Sequence, residues 1–240
     1  MNMHRFADWT TRGAALLLAL LLMISCAGAE QPSALAQWLG VDAPAVSRTE
    51  TAVAAPEGVS VTLLESAAQS GCLVNLFLIR PAEDNVQLLP ADPLLPPFNV
   101  SLEDYYQTKL TVSPDAAWSD AEAEGGIGDY LRQSGRTPCW VDFQAMPQNG
   151  EDGTTKAMAQ PVADGSLLVI TVSWPAGESL QYTLRTGCAV YGEDAFRTAD
   201  RGKMEDRWQN SVKDTLEIAV QQAGSGECAR LTDLMNQLKK

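Results

Sequence analysis

The chain carries 17 basic and 30 acidic side chains among 240 residues, a formal charge of −13, with 45% apolar residues. That acid excess repels nucleic acid and anionic lipid headgroups and argues against either as a direct ligand. The apolar share is that of an ordinary globular protein able to bury a sizeable core, and one domain is expected.

Met1 to Arg12 holds Arg5 and Arg12 against Asp8 and leads into the uncharged run "AALLLALLLMI", Ala14 to Ile24. A short basic stretch followed by an apolar run is the pattern of a secretory leader. At about 1.5 Å per residue the run falls well short of a bilayer core of roughly 30 Å, so a permanent spanning helix is not expected. Two cleavage sites compete: "MISC" (Met23 to Cys26) suits lipoprotein processing, and "AGA" (Ala27 to Ala29) suits ordinary signal peptidase. The leader resembles that of bacterial lipoproteins, and the resemblance implies a lipid on Cys26 as the new N-terminus. Ala27 behind it then resembles the outer-membrane sorting pattern. The expected address is the periplasmic side of the envelope, anchored in the outer membrane, with membrane contact only through the lipid; the alternative is a soluble periplasmic or secreted protein.

The expected organisation is a signal peptide over 1–25 (or ending at 29), a flexible tether over 26–58, and a single domain over 59–240. The tether is rich in Ala, Pro and small polar residues and holds one short helix, "PSALAQWLG", with Ser33 as cap and Gly40 as stop. "VSVTLLES" and "CLVNLFLI" then read as a hairpin, the second strand apolar on both faces. Five prolines between Pro81 and Pro97 disfavour regular structure. Ser101 and Ser113 start helices running to Leu110 and Glu124, and "GGIG" breaks the second. "CWVDF" is a short strand and "PQNGEDG" a turn-rich loop. "LLVITVSW" and "ESLQYTL", separated by "PAG", predict a hairpin with Leu168, Ile170, Val172 and Trp174 on one face.

From Asp200 to Ala223 the residues Met204, Trp208, Val212, Leu216, Ala219 and Val220 fall on a helical stripe, and a last helix is expected over about Glu227 to Leu238. Strands first and helices last predict an α+β fold: an antiparallel sheet of about 4–6 strands with C-terminal helices packed on it. Beyond Cys26 the chain holds Cys72, Cys139, Cys188 and Cys228, an even set for an oxidising compartment. The expected disulfides are Cys72 to Cys139 and Cys188 to Cys228, each stabilising by roughly 4 kcal/mol on the chain-entropy model.

The only histidine, His4, lies in the leader, so cleavage removes it and with it Ser-His-Asp and Cys-His catalysis and histidine-ligated zinc. No Gly-x-Ser-x-Gly elbow, Ser-x-x-Lys pair, P-loop or dinucleotide fingerprint is present. Carboxylates remain. Glu103 and Asp104 are adjacent on a helix and point apart, while Asp142 sits where an alternating strand turns outward. "NGEDG" lacks the EF-hand spacing. Trp140, Trp174 and Trp208 fall on strands and stripes expected to pack, leaving Trp118, on a small and acidic helix, as the expected exposed contact. No catalytic residue, metal or cofactor is therefore assigned. The expected role is non-enzymatic binding or assembly with a protein or cell-wall component of the envelope. The alternatives are a histidine-free glycan hydrolase using two carboxylates and an exported inhibitor or immunity-type protein.

Overall fold

The computed structural model describes residues 33–40, 46–91, 135–148, 154–162, 164–174, 179–198, 208–221, 228, 231, 232 and 236. The leader with Cys26, Trp118, the helices expected after Ser101 and Ser113, and the "NGEDG" turn lie outside these residues. The elements are α1 (Ala34–Leu39), β1 (Ser47–Val53), β2 (Val59–Gln69), β3 (Cys72–Pro81), β4 (Val86–Pro90), β5 (Thr137–Pro147), β6 (Thr154–Pro161), β7 (Leu167–Trp174), β8 (Gln181–Tyr191), α2 (Glu193–Thr198) and β9 (Val212–Ala219). They build a five-stranded sheet in the order β1-β2-β3-β7-β6 and a four-stranded sheet in the order β4-β5-β8-β9. Every pairing is antiparallel except the parallel β4–β5 pair.

Alternation along each strand sends one set of side chains between the sheets. Leu73, Phe77 and Ile79 of β3 meet Val141 and Phe143 of β5 and Leu184 of β8 there. The rings of Phe77 and Phe143 lie 4.7 Å apart. The other face of the five-stranded sheet is also apolar: Cys72, Val74, Leu76, Leu78, Leu168, Ile170 and Val172 are covered by Leu35, Ala36 and Leu39 of α1, with Cys228 and Leu231. Burying each large side chain contributes about 1.5–3 kcal/mol. The edges of the two sheets are laced together. Asp214 of β9 accepts the Ala54 N–H at 2.8 Å and Ser47 of β1 accepts the Gln221 N–H at 3.0 Å. On the opposite edge the Leu88 N–H of β4 reaches the Gly165 carbonyl at 2.8 Å. Gly165 has φ +94°, and a Cβ there would drive into the Val86 carbonyl, so the β6–β7 turn needs glycine.

The fold is thus mostly β, and the expectation of an α+β domain with C-terminal helices is corrected. The stripe from Asp200 to Ala223 contains the strand β9. Val212, Leu216 and Val220 are four apart, a spacing common to helices and to one face of a strand. Ile218 decides between them, because Leu216, Ile218 and Val220 are buried while Lys213, Thr215, Glu217 and Ala219 are exposed or half-buried. Of the last expected helix, the described Leu231, Thr232 and Asn236 are helical, and the Thr232 N–H donates to the Cys228 carbonyl. Both described helices have six residues. The second expected hairpin is also corrected: β7 pairs with β3 and β6, whereas β8 pairs with β5 and β9 in the other sheet. The first hairpin, β2–β3, forms as expected.

Ordered structure also begins earlier than Val59. α1 has Ser33 as N-cap, its hydroxyl accepting from the Ala36 N–H, and Gly40 as a left-handed C-cap at φ 70°. Within the stretch read as tether, β1 forms the sheet edge. A bulge in β2 docks the helix. The register passes from Leu63↔Phe77 to Glu65↔Leu76, so the extra residue turns Glu65 outward and Ser66 inward. Glu65 Oε2 accepts from the Leu35 N–H at 2.7 Å and from Ser33 Oγ at 3.0 Å, and Arg48 Nε lies 3.5 Å from Oε1. A Glu65→Ala variant leaves these buried donors without their acceptor, at an expected cost of about 1–3 kcal/mol. A lower urea midpoint and accelerated amide exchange at Leu35 measure it.

Candidate functional site

No disulfide joins Cys72, Cys139, Cys188 or Cys228, which corrects the expected disulfides. The reason is the sheet between them. Cys72 and Cys228 belong to the core beneath α1, whereas Cys188 belongs to the core between the sheets, with Cys139 packed against it. Both expected bonds would have to pass through the five-stranded sheet. Within the four-stranded sheet Cys188 stands opposite Phe143, four residues along β5 from Cys139, a separation of roughly 13 Å. Burial raises three of the thiols: Cys72 to about 11, with Cys228 as a second cause, Cys188 to about 12, with Asp142 as a second cause, and Cys139 upward, with Glu83 as a second cause. The raised values of these three disfavour the thiolate, which is the reactive form, and fit residues that pack.

Asp142 lies on the outer face of the four-stranded sheet opposite Ala189, as alternation requires, yet it is only 4% exposed. Trp140, two residues earlier on the same face, is fully buried and stacked on Phe196 of α2 at 4.5 Å, with Tyr191 edge-on to Phe196 at 6.5 Å. That end of the face is a small satellite core.

The other end of this face is different. Arg185 and Gly187 of β8 share it by alternation, and Lys213 of β9 is the direct partner of Gly187. Trp208 precedes β9 in a turn closed by Ser211, whose N–H and Oγ both donate to the Trp208 carbonyl, Oγ at 2.8 Å. The turn lays the indole across the sheet above Gly187. A Cβ at Gly187 would stand 2.7 Å from Ser211 Oγ and 2.8 Å from Trp208 Cζ3, so the seat exists because the position lacks a side chain. Arg185 Cζ lies 5.2 Å and Lys213 Nζ 5.9 Å from the indole centroid, both within cation–π range. Arg185 and Lys213 are exposed and Trp208 is half-buried. Among the described residues no carboxylate pairs with either cation. The next acid of β9 on this face is Glu217, one alternating step beyond Thr215, and its carboxylate accepts from Thr183 Oγ1 at 2.8 and 3.0 Å.

Sequence reasoning placed Trp208 on a helix stripe and passed over Arg185, Gly187 and Lys213. One signal was available: a lone glycine inside the alternating run "YTLRTGCAVY" marks a close approach by another group. Among the described residues no cluster of three His, Cys, Asp or Glu side chains is arranged for a metal ion.

No protein-family model matches the chain, and no curated protein matches it. Among solved structures it is similar to one described as the crystal structure of the conserved domain protein from Bacillus anthracis, with a TM-score of 0.36 and 6% identity, covering 73% of this chain and 42% of that one. The chain therefore spans less than half the length of that neighbour.

The thiols make a pH prediction. In the unfolded chain they titrate near the ordinary value of 9.0, and in the fold Cys72 and Cys188 titrate near 11 and 12. Their contribution to stability is complete below pH 9 and is lost as pH rises through the folded values, because only the unfolded state readily gives up the proton. Denaturant midpoints measured from pH 8 to 12 are expected to fall, and to fall less in a Cys72→Ala, Cys188→Ala variant compared with its own midpoint at pH 8.

Proposed function

We propose that the protein is an exported, lipid-anchored envelope protein with a non-enzymatic binding role, its binding face being the Arg185–Trp208–Lys213 end of the four-stranded sheet. The observation that carries the reading is the pair of exposed cations beside a half-buried indole, without carboxylate partners among the described residues, on a chain of charge −13. Exposed cations around an aromatic anchor suit a contact surface, since either element alone is better solvated or better buried. The four-stranded sheet holds Arg185 and Lys213 on adjacent strands, and the turn before β9 holds Trp208, so backbone pairing and a closed turn fix the site. The address rests on the leader, with Arg5 and Arg12 before the apolar run and Cys26 at its end.

Two experiments test the reading. The purified protein is expected to co-sediment with isolated cell-wall material, with retention reduced at least tenfold in Trp208→Ala; equal retention of the variant, or breakdown of the material into soluble products, overturns it. The anchor is tested in cells with a fatty-acid analogue, whose incorporation is expected to vanish in Cys26→Ser. Undiminished labelling of that variant rejects lipidation at this position.

A further inference from the structure

Resting on the binding face just assigned, we propose that Arg185, Trp208 and Lys213 form a subsite for a carboxylate-bearing sugar of an acidic glycan. Two cations within 6 Å of one indole centroid define a patch about one sugar ring across. The guanidinium offers the planar fork that takes a carboxylate in two parallel hydrogen bonds, the ammonium adds a second point charge, and the exposed part of the half-buried indole supplies apolar surface for the ring's C–H groups.

Scale and charge set this ligand apart from others. A stable protein interface buries roughly 800 Å² on each partner around an apolar centre depleted in lysine. The large hydrophobic side chains exposed among the described residues are Leu180 and Val212, and a half-buried indole flanked by two cations matches a sugar ring in size more closely than it matches such a centre. A densely charged phosphate polymer meets the repulsion of the whole acidic chain. A glycan with carboxylates spaced a disaccharide or more apart engages the cation pair locally, while acids beyond about 8 Å are screened at physiological salt. Glu217, the next acid of β9 on this face, is held by Thr183.

The test titrates the purified protein with a uronate-containing oligosaccharide and with the same oligosaccharide after its carboxyls are reduced to alcohols, following tryptophan fluorescence and heat. The acidic form is expected to bind at least tenfold more tightly, with binding falling between 50 and 500 mM salt, by about the Debye screening of an exposed ion pair. Arg185→Gln and Lys213→Gln are each expected to weaken it several-fold while leaving the melting temperature unchanged. Gly187→Ala, which crowds the indole from below, is expected to weaken both forms of the sugar. Equal binding of the acidic and reduced sugars, binding indifferent to Arg185→Gln, or preference for an acidic peptide overturns the proposal. If Trp208-dependent retention on cell-wall material persists while the acidic sugar fails, the sugar assignment falls and the binding face stands; if both fail, both fall.

Discussion

Strand β3 is apolar on both faces, and the rest of the molecule is arranged to keep water from each of them. Its Leu73, Phe77 and Ile79 require a second sheet, and its Cys72, Val74, Leu76 and Leu78 require a cover on the far side. One antiparallel sheet with a wet face cannot satisfy such a strand. The chain meets the first demand by leaving the five-stranded sheet after β3 and starting the four-stranded sheet with β4. It meets the second with α1, a helix too short to hold itself in water and therefore dependent on its caps, its packing and the Glu65 carboxylate.

Polar groups inside this arrangement are paired according to the same geometry. The bulge that turns Glu65 toward α1 also turns Ser66 inward, where its hydroxyl donates to Asn75 Oδ1 at 2.8 Å, and Asn75 Nδ2 reaches Thr171 Oγ1 at 3.4 Å. A row of buried polar groups runs across β2, β3 and β7 and fixes their register, since a slip of one residue would leave each member alone among apolar side chains. The five-stranded sheet also partitions the thiols, two on one side and two on the other. Its order of burial, rather than the spacing of cysteines along the chain, decides which sulfurs are neighbours.

The binding face depends on β9 being a strand. As a helix, this segment would place Lys213 and Trp208 on surfaces unrelated to Arg185. As the outer strand of the four-stranded sheet it sets Lys213 opposite Gly187 and two residues from the rung of Arg185, and the preceding turn returns Trp208 over the same spot. The site is assembled from β8, β9 and the turn before β9, with Gly187 providing the space.

Local pattern was sufficient where the physics is local. Ser33 and Gly40 bracket α1 because a hydroxyl cap and a left-handed residue act within a turn of the chain, and the β2–β3 hairpin follows from two apolar runs joined by Ser70 and Gly71. The sequence by itself determined the basic and apolar pattern of residues 1–26, the acid excess, the position of the sole histidine at His4, and which segments carry apolar faces. Only the tertiary structure decided that β7 and β8 part into different sheets, that β9 is not a helix, that the cysteines are kept apart, and that Arg185 and Lys213 meet at Trp208. Those outcomes rest on strand pairing between segments far apart in the chain. A spacing of four residues fits both a helix and a strand face, and only the partner strand distinguishes them.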